Sequence, residues 1–130
     1  MHATSALDIQ AVMHPPRIRP GGDAAIRLTF TQRGPERLSA PHPILSSEAL
    51  VFHVRLPSGE ERTVRTPPAR PGTPPRQANI VLQPQVAQKF GIAVQTLVNP
   101  LTAGNYCIIV EYSWAPGQVW RSQPLSLTVE

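Results

Sequence analysis

The side chains able to do chemistry are few in this sequence and lie far apart along it. The histidines and the single cysteine are His2, His14, His42, His53 and Cys107. No histidine has the short spacing to a second histidine or cysteine that metal sites use. No G-x-S-x-G elbow and no glycine-rich phosphate loop is present. We therefore expect no catalytic residue, no metal ligand and no cofactor, and we expect Cys107 to be an unreactive thiol on a strand.

A second candidate feature is the proline- and arginine-rich segment 65–76. It contains an R-x-x-P-x-x-P string that begins at Arg65 and a P-x-x-P-x-R string that ends at Arg76. Such strings are typical of extended ligands for aromatic grooves, because their backbone is already ordered before binding. Arginines also suit phosphates, but no aromatic residue lies among them to stack on bases. We interpret the segment as a stiff connecting loop, keep the peptide-ligand alternative open, and disfavour nucleic acid as a partner.

The composition indicates one all-β domain spanning 1–130, with residues 1–6 as a loose N-terminus. Proline supplies 16 of 130 residues, more than twice its usual share of about 5%. Proline removes a backbone donor and clashes inside a helical turn, so long helices are disfavoured. Hydrophobic residues make up 41% of the chain and come in ordered runs, which excludes a disordered chain.

Charge and targeting features set weaker bounds. The net charge of +4 suits acidic partners without requiring them. A single cysteine excludes an internal disulfide. No apolar signal core is visible near the N-terminus, and no run reaches the roughly 18 apolar residues of a membrane span. We expect no membrane span and a cytoplasmic location, although a secreted chain already cleaved would look the same.

Apolar and polar residues alternate along most of the chain, which predicts strands with one buried face. Such runs begin at Leu7, Ile26, Leu50, Glu61, Ile80, Phe90, Tyr106 and Leu125. Proline and glycine turns separate them, and two long proline-rich loops, 34–47 and 66–78, interrupt them. The pattern predicts an antiparallel β-sandwich of seven or eight strands.

The last hairpin can be registered if Pro116-Gly117 is a two-residue loop. The predicted pairs are Ile108–Leu125, Tyr106–Leu127 and Trp114–Val119 on the inner face, and Ser113–Trp120, Glu111–Ser122 and Ile109–Pro124 on the outer face. A shift of one residue would move every side chain of the strand to the other face, so the apolar inner pairs favour this register.

The stretch Leu101–Tyr106, with sequence LTAGNY, resembles the tyrosine corner of immunoglobulin-like and fibronectin type III-like sandwiches. The resemblance implies that the hydroxyl of Tyr106 bonds to the backbone just upstream, and that strand F lies between strands C and G. Two departures exclude an antibody-type domain. Cys107 directly follows the tyrosine and has no partner cysteine, and Phe52 stands nearest to where strand C would carry a tryptophan.

That strand order would bring Val51, His53, Ile109 and Trp120 onto one solvent-side face. A cluster that contains a tryptophan has the composition of an interface hot spot. The alternative is that a loop of the same chain, such as 34–47, covers these residues. Trp114 is expected to pack at the end of the core.

We therefore predict a non-catalytic protein-binding or assembly module that presents this face or an edge strand to a partner protein or to copies of itself. Two alternatives stay open. One is a loop-mediated proteinase inhibitor, because Asn99–Gly104 is similar to the NPTTG loop of chagasin-type inhibitors. The other is a carbohydrate-binding accessory domain that stacks sugars on Trp114 and Trp120.

Overall fold

Alternating burial along the chain matches alternating hydrophobicity, and the prediction of an all-β chain is confirmed. The computed structural model describes residues 6–130, so the predicted loose N-terminus lies outside the described residues except for Ala6. The strands are β1 (Leu7–His14), β2 (Arg17–Ile18), β3 (Ala25–Gln32), β4 (Leu38–Pro41), β5 (Leu50–Arg55), β6 (Glu61–Thr66), β7 (Asn79–Leu82), β8 (Ala87–Ala93), β9 (Gly104–Ala115), β10 (Gln118–Arg121) and β11 (Leu125–Val129). A 3-10 turn spans Val94–Thr96.

The described chain forms eleven strands in three sheets, so the predicted count of seven or eight was wrong. Two of the three added strands, β2 and β10, are separated from a neighbouring strand by a short interruption. Pro15 and Pro16, which lack backbone donors, separate β1 from β2, and the segment Ser122–Pro124 separates β10 from β11. The third addition is β4, which the proline-rich segment 34–47 contributes and which pairs with β7.

The strand order places β9 at the centre of the largest sheet. This sheet has the order β2-β11-β9-β5-β6, and β10 also pairs with β9. A second sheet has the order β1-β3-β8, and β4 and β7 form the third. Among the described residues, these strands pair antiparallel except for β2 with β11, and an isolated parallel bridge joins Gln32 and Pro84. No helix within residues 6–130 is long and apolar enough to cross a membrane.

Aromatic side chains join the three sheets in one buried cluster. The ring of Phe30 in β3 packs edge-on against Tyr112 in β9, with ring centroids 4.9 Å apart, and against Phe90 in β8 at 5.3 Å. The hydroxyl of Tyr112 donates a hydrogen bond of 2.7 Å to the carbonyl oxygen of Pro41 in β4. Burial of a phenol is tolerated because this bond satisfies its donor.

Burial raises the pKa of the Tyr112 hydroxyl above its ordinary value. Above about pH 10 the unfolded chain loses the phenol proton while the folded chain keeps it, so the free energy of unfolding falls as pH rises. We expect the urea midpoint to drop between about pH 9 and about pH 11 in the wild type, and to drop less in Tyr112→Phe. Equal slopes in the two proteins would contradict this assignment.

Candidate functional site

The outward-pointing side chains of β5 and β9 form one open surface, here called the outer face. In both strands buried residues alternate with residues that point away from the core. The outer face comprises Val51, His53 and Arg55 from β5, Cys107, Ile109 and Glu111 from β9, and Arg121 from β10.

The centre of the outer face contains three of the four predicted binding residues. His53 pairs directly with Ile109 across the two strands, and Val51 lies two residues from His53 on the same side. All three side chains are half-buried. Their placement on one face is therefore confirmed, whereas their binding role stays a prediction.

Charged groups adjoin this centre through Glu111. Its Oε1 atom lies 2.5 Å from Nη1 of Arg121 and 3.1 Å from Nε2 of His53. The Nε2 atom is buried and, among the described residues, has no aligned hydrogen bond despite that short distance. The carboxylate thus lies between a guanidinium and an imidazole.

Trp120, the fourth predicted binding residue, does not lie on the outer face. It pairs with Tyr112, a core residue, and its half-buried side chain packs against the core cluster. Arg121 occupies the outer position beside Glu111 instead. The predicted pairs of β10 were therefore wrong by one residue, although the predicted pairs of β11, Ile108–Leu125 and Tyr106–Leu127, are confirmed.

A β-bulge in β9 causes the shift. Gln118 pairs with Ala115 and Val119 pairs with Ser113, so Trp114 is left over between them. The Trp114 ring packs against the core cluster and stacks on Tyr112, with centroids 5.9 Å apart, which agrees with its predicted place at the core end.

Ser122 lies where the chain passes from the shifted register back to the predicted one. Its backbone N–H donates to the carbonyl of Val110 at 2.8 Å, and its Oγ accepts the Val110 N–H at 2.9 Å. A side-chain oxygen thus replaces the backbone acceptor that a regular ladder would supply. Leu125 then pairs with Ile108 in the predicted register.

A shallow groove of about 630 Å³ crosses the outer face. Its lining comes from β5, β6, β9, β10 and the segment before β11, and includes Arg55, Cys107, Ile109 and Pro124. No residue of 34–47 lines it. The loop 34–47 therefore does not cover this groove, which His53 and Ile109 line.

Two loops singled out in the sequence have structural contacts. The exposed segment 66–78 is held to the loop before β5 by 2.8 Å backbone bonds from Glu48 to Pro67 and from Ser47 to Arg76. The Tyr106 hydroxyl donates a 2.7 Å bond to the carbonyl of Thr102. The upstream bond that the resemblance implied is thus present.

Within residues 6–130, no group of three or more histidine, cysteine, aspartate or glutamate side chains is placed to hold a metal ion. Cys107, the single cysteine of the sequence, is half-buried on the outer face.

Comparisons with known proteins identify a fold. No family model matches the chain, and no curated protein matches it. Sporulation control protein Spo0M from Bacillus subtilis is similar to the chain with 12% identity and a TM-score of 0.49; the match covers 98% of this chain and 50% of Spo0M.

Two further structures are similar over nearly the whole chain. One is the alkylpurine DNA glycosylase AlkC from Pseudomonas fluorescens, bound to DNA with an abasic site analogue, at 10% identity and a TM-score of 0.51 over 98% of this chain and 31% of that one. The other is a mutant β-glucosidase from Listeria innocua in complex with laminaribiose, at 8% identity and 0.54 over 97% and 16%.

The chain thus spans half or less of these structures. None of the three is described as an immunoglobulin-like or fibronectin type III domain. The two matches with TM-scores above 0.5, at 8–10% identity, show a similarity of fold alone.

Proposed function

We propose that this protein is an immunoglobulin-like β-sandwich module without catalytic activity, and that it binds a partner protein through the outer face. The strand order β11-β9-β5 and the bond from Tyr106 to Thr102 support the immunoglobulin-like assignment. One observation carries the proposed function. His53 and Ile109 pair across β5 and β9, beside Val51, and both side chains line the groove on the outer face.

The composition of the outer face suits a protein partner. Its centre holds the apolar side chains of Val51 and Ile109, while Arg55, Glu111 and Arg121 surround them with charge. An apolar centre with a polar rim is the usual anatomy of a protein interface, and arginine is enriched there. The charges would orient a partner, and the apolar centre would provide most of the binding free energy.

A carbohydrate-binding role is a second candidate because of one observation away from the outer face. Trp114 lines a shallow groove together with Gln32, Arg37 and Gln118, which joins an aromatic surface to planar polar groups. The proteinase-inhibitor alternative stays a prediction. The bond from the Tyr106 hydroxyl to Thr102 gives the loop 99–104 a structural role, which accounts for its sequence without an inhibitory function.

The variant Ile109→Arg tests the proposed function. A charged side chain at the centre of a desolvated contact should weaken partner binding about 30-fold or more. The matched control is Val12→Arg on β1, an apolar residue that is 56% exposed and lies in a different sheet.

The measurement is the affinity of a partner isolated with the wild-type protein, titrated against both variants. Val12→Arg should bind like the wild type. Equal affinity of Ile109→Arg and the wild type would show that the partner does not bind through the outer face.

A further inference from the structure

We propose that two copies of this chain pair through the free edge of β6, antiparallel to each other about a two-fold axis. This inference goes beyond the proposed function: it takes up the edge-strand pairing expected from the sequence and names a second copy of the chain as the partner. It uses an edge of the sheet, whereas the outer face is left open for a different partner.

The free edge follows from the strand order and the hydrogen-bond alternation. β6 is the last strand of the largest sheet and pairs with β5. The bond from the Leu56 N–H to the Glu60 carbonyl shows that the backbone groups of Glu60 point toward β5. Because these bonds alternate along an antiparallel pair, the backbone groups of Glu61, Thr63 and Arg65 point away from β5. Within residues 6–130 no other strand pairs with this edge.

Backbone parity then restricts the register of the pairing. Two β6 strands can exchange both bonds only between residues whose groups point outward. A two-fold axis at Thr63 pairs Thr63 with its own copy and Glu61 with Arg65, so every outward group finds a partner. A shift of two residues toward the C-terminal end would place Pro67, which has no N–H, in the ladder. The register centred on Thr63 therefore uses every outward group of β6 and keeps Pro67 out of the ladder.

Charge complementarity supports that register independently. Glu61, Thr63 and Arg65 share one side of the sheet, because they pair with Arg55, His53 and Val51 of β5. The Glu61 carboxylate already contacts Arg55 at 2.9 Å. In the pair, each Glu61 would also lie opposite the second copy's Arg65, which gives alternating charges across the joined sheets. An isologous contact repeats this pair on both sides of the axis.

The edge lacks some of the features that keep sheet edges apart. Natural edges are blunted by proline, by bulges and by charged side chains, above all lysine. β6 contains neither proline nor lysine, and its pairing with β5 runs without a register shift. Pro67 and Pro68 follow directly and limit the pairing to this short strand. A short edge with a self-complementary charge pattern suits one defined dimer.

Sedimentation of the full chain tests the proposal. The wild type should show twice the monomer mass of 14.2 kDa as its concentration rises toward about 1 mM. Thr63→Pro removes an outward donor without costing a bond to β5 and should weaken the dimer at least about tenfold. Thr63→Val keeps both the donor and the strand propensity, so it should dimerise like the wild type. Circular dichroism checks that each variant is folded.

Charge variants test the register itself. Glu61→Arg and Arg65→Glu each place like charges opposite one another, so each alone should lose the homodimer. Mixed together, they restore opposite charges at both positions and should form a heterodimer. A wild type that stays monomeric to about 1 mM, or a dimer that Thr63→Pro or the single charge variants leave intact, would overturn the proposal. Ile109→Arg should dimerise normally, which separates a failure of this edge from a failure of the outer face.

Discussion

Replacing Gly104 by alanine should lower the free energy of unfolding by about 3 kcal/mol or more. Gly104 opens β9 with φ at +133°, a backbone conformation that other residues rarely adopt. A Cβ at this position would also lie 2.6 Å from Cβ and 2.7 Å from Cγ of Pro57 in the β5–β6 turn. Backbone strain and overlap therefore add at one position, and both act on the sheet that carries the outer face.

Urea denaturation of a small set of variants separates the two contributions. Gly117→Ala shares a positive φ of 75° but meets no atom within 4 Å, so it should cost only about 1–2 kcal/mol. In a Pro57→Gly background the overlap is removed, and Gly104→Ala should cost less than it does in the wild type. A loss below about 1 kcal/mol for Gly104→Ala in the wild type would contradict the close contact with Pro57.

Replacing Phe52 by alanine should lower the free energy of unfolding by about 3–5 kcal/mol. Phe52 lies in β5 between Val51 and His53, and it is fully buried on the inner side of the sheet. Truncation removes its transfer free energy and leaves a cavity that a packed core cannot fill. Because small domains have only about 5–15 kcal/mol of stability, this is a large share of the total.

Val51→Ala is the matched control for Phe52→Ala. It removes apolar atoms one position away, but from a half-exposed side chain, so it should cost about 1 kcal/mol or less. Urea unfolding of both variants measures the difference in midpoint. Similar midpoints would mean that the two faces of β5 are not as distinct as the alternating burial indicates.

The sequence predicted those parts of the fold that depend on regular alternation. The long run from Tyr106 to Trp114 became β9, and the apolar pairs Ile108–Leu125 and Tyr106–Leu127 formed as predicted. Regular alternation suffices there because a shift of one residue would expose the whole apolar set. The adjacency of His53 and Ile109 followed from the strand order that the resemblance implied.

The bulge at Trp114 was not predictable from alternation, because an extra residue leaves the pattern on each strand unchanged. Its consequence was the misplacement of Trp120, which packs inward. One signal was available in the charges. The shifted register places Arg121 beside Glu111 and gives a 2.5 Å ion pair, whereas the unshifted register places Ser122 there. Cross-strand charge pairs of this kind favour one register over its neighbour.

The most direct test of the outer face is a methyl NMR map of the isotope-labelled protein with its isolated partner added. We expect the methyl signals of Val51 and Ile109 to shift or broaden on binding, while that of Val12 in the three-stranded sheet stays in place. Perturbation confined to Val12, with Val51 and Ile109 unchanged, would contradict binding through the outer face.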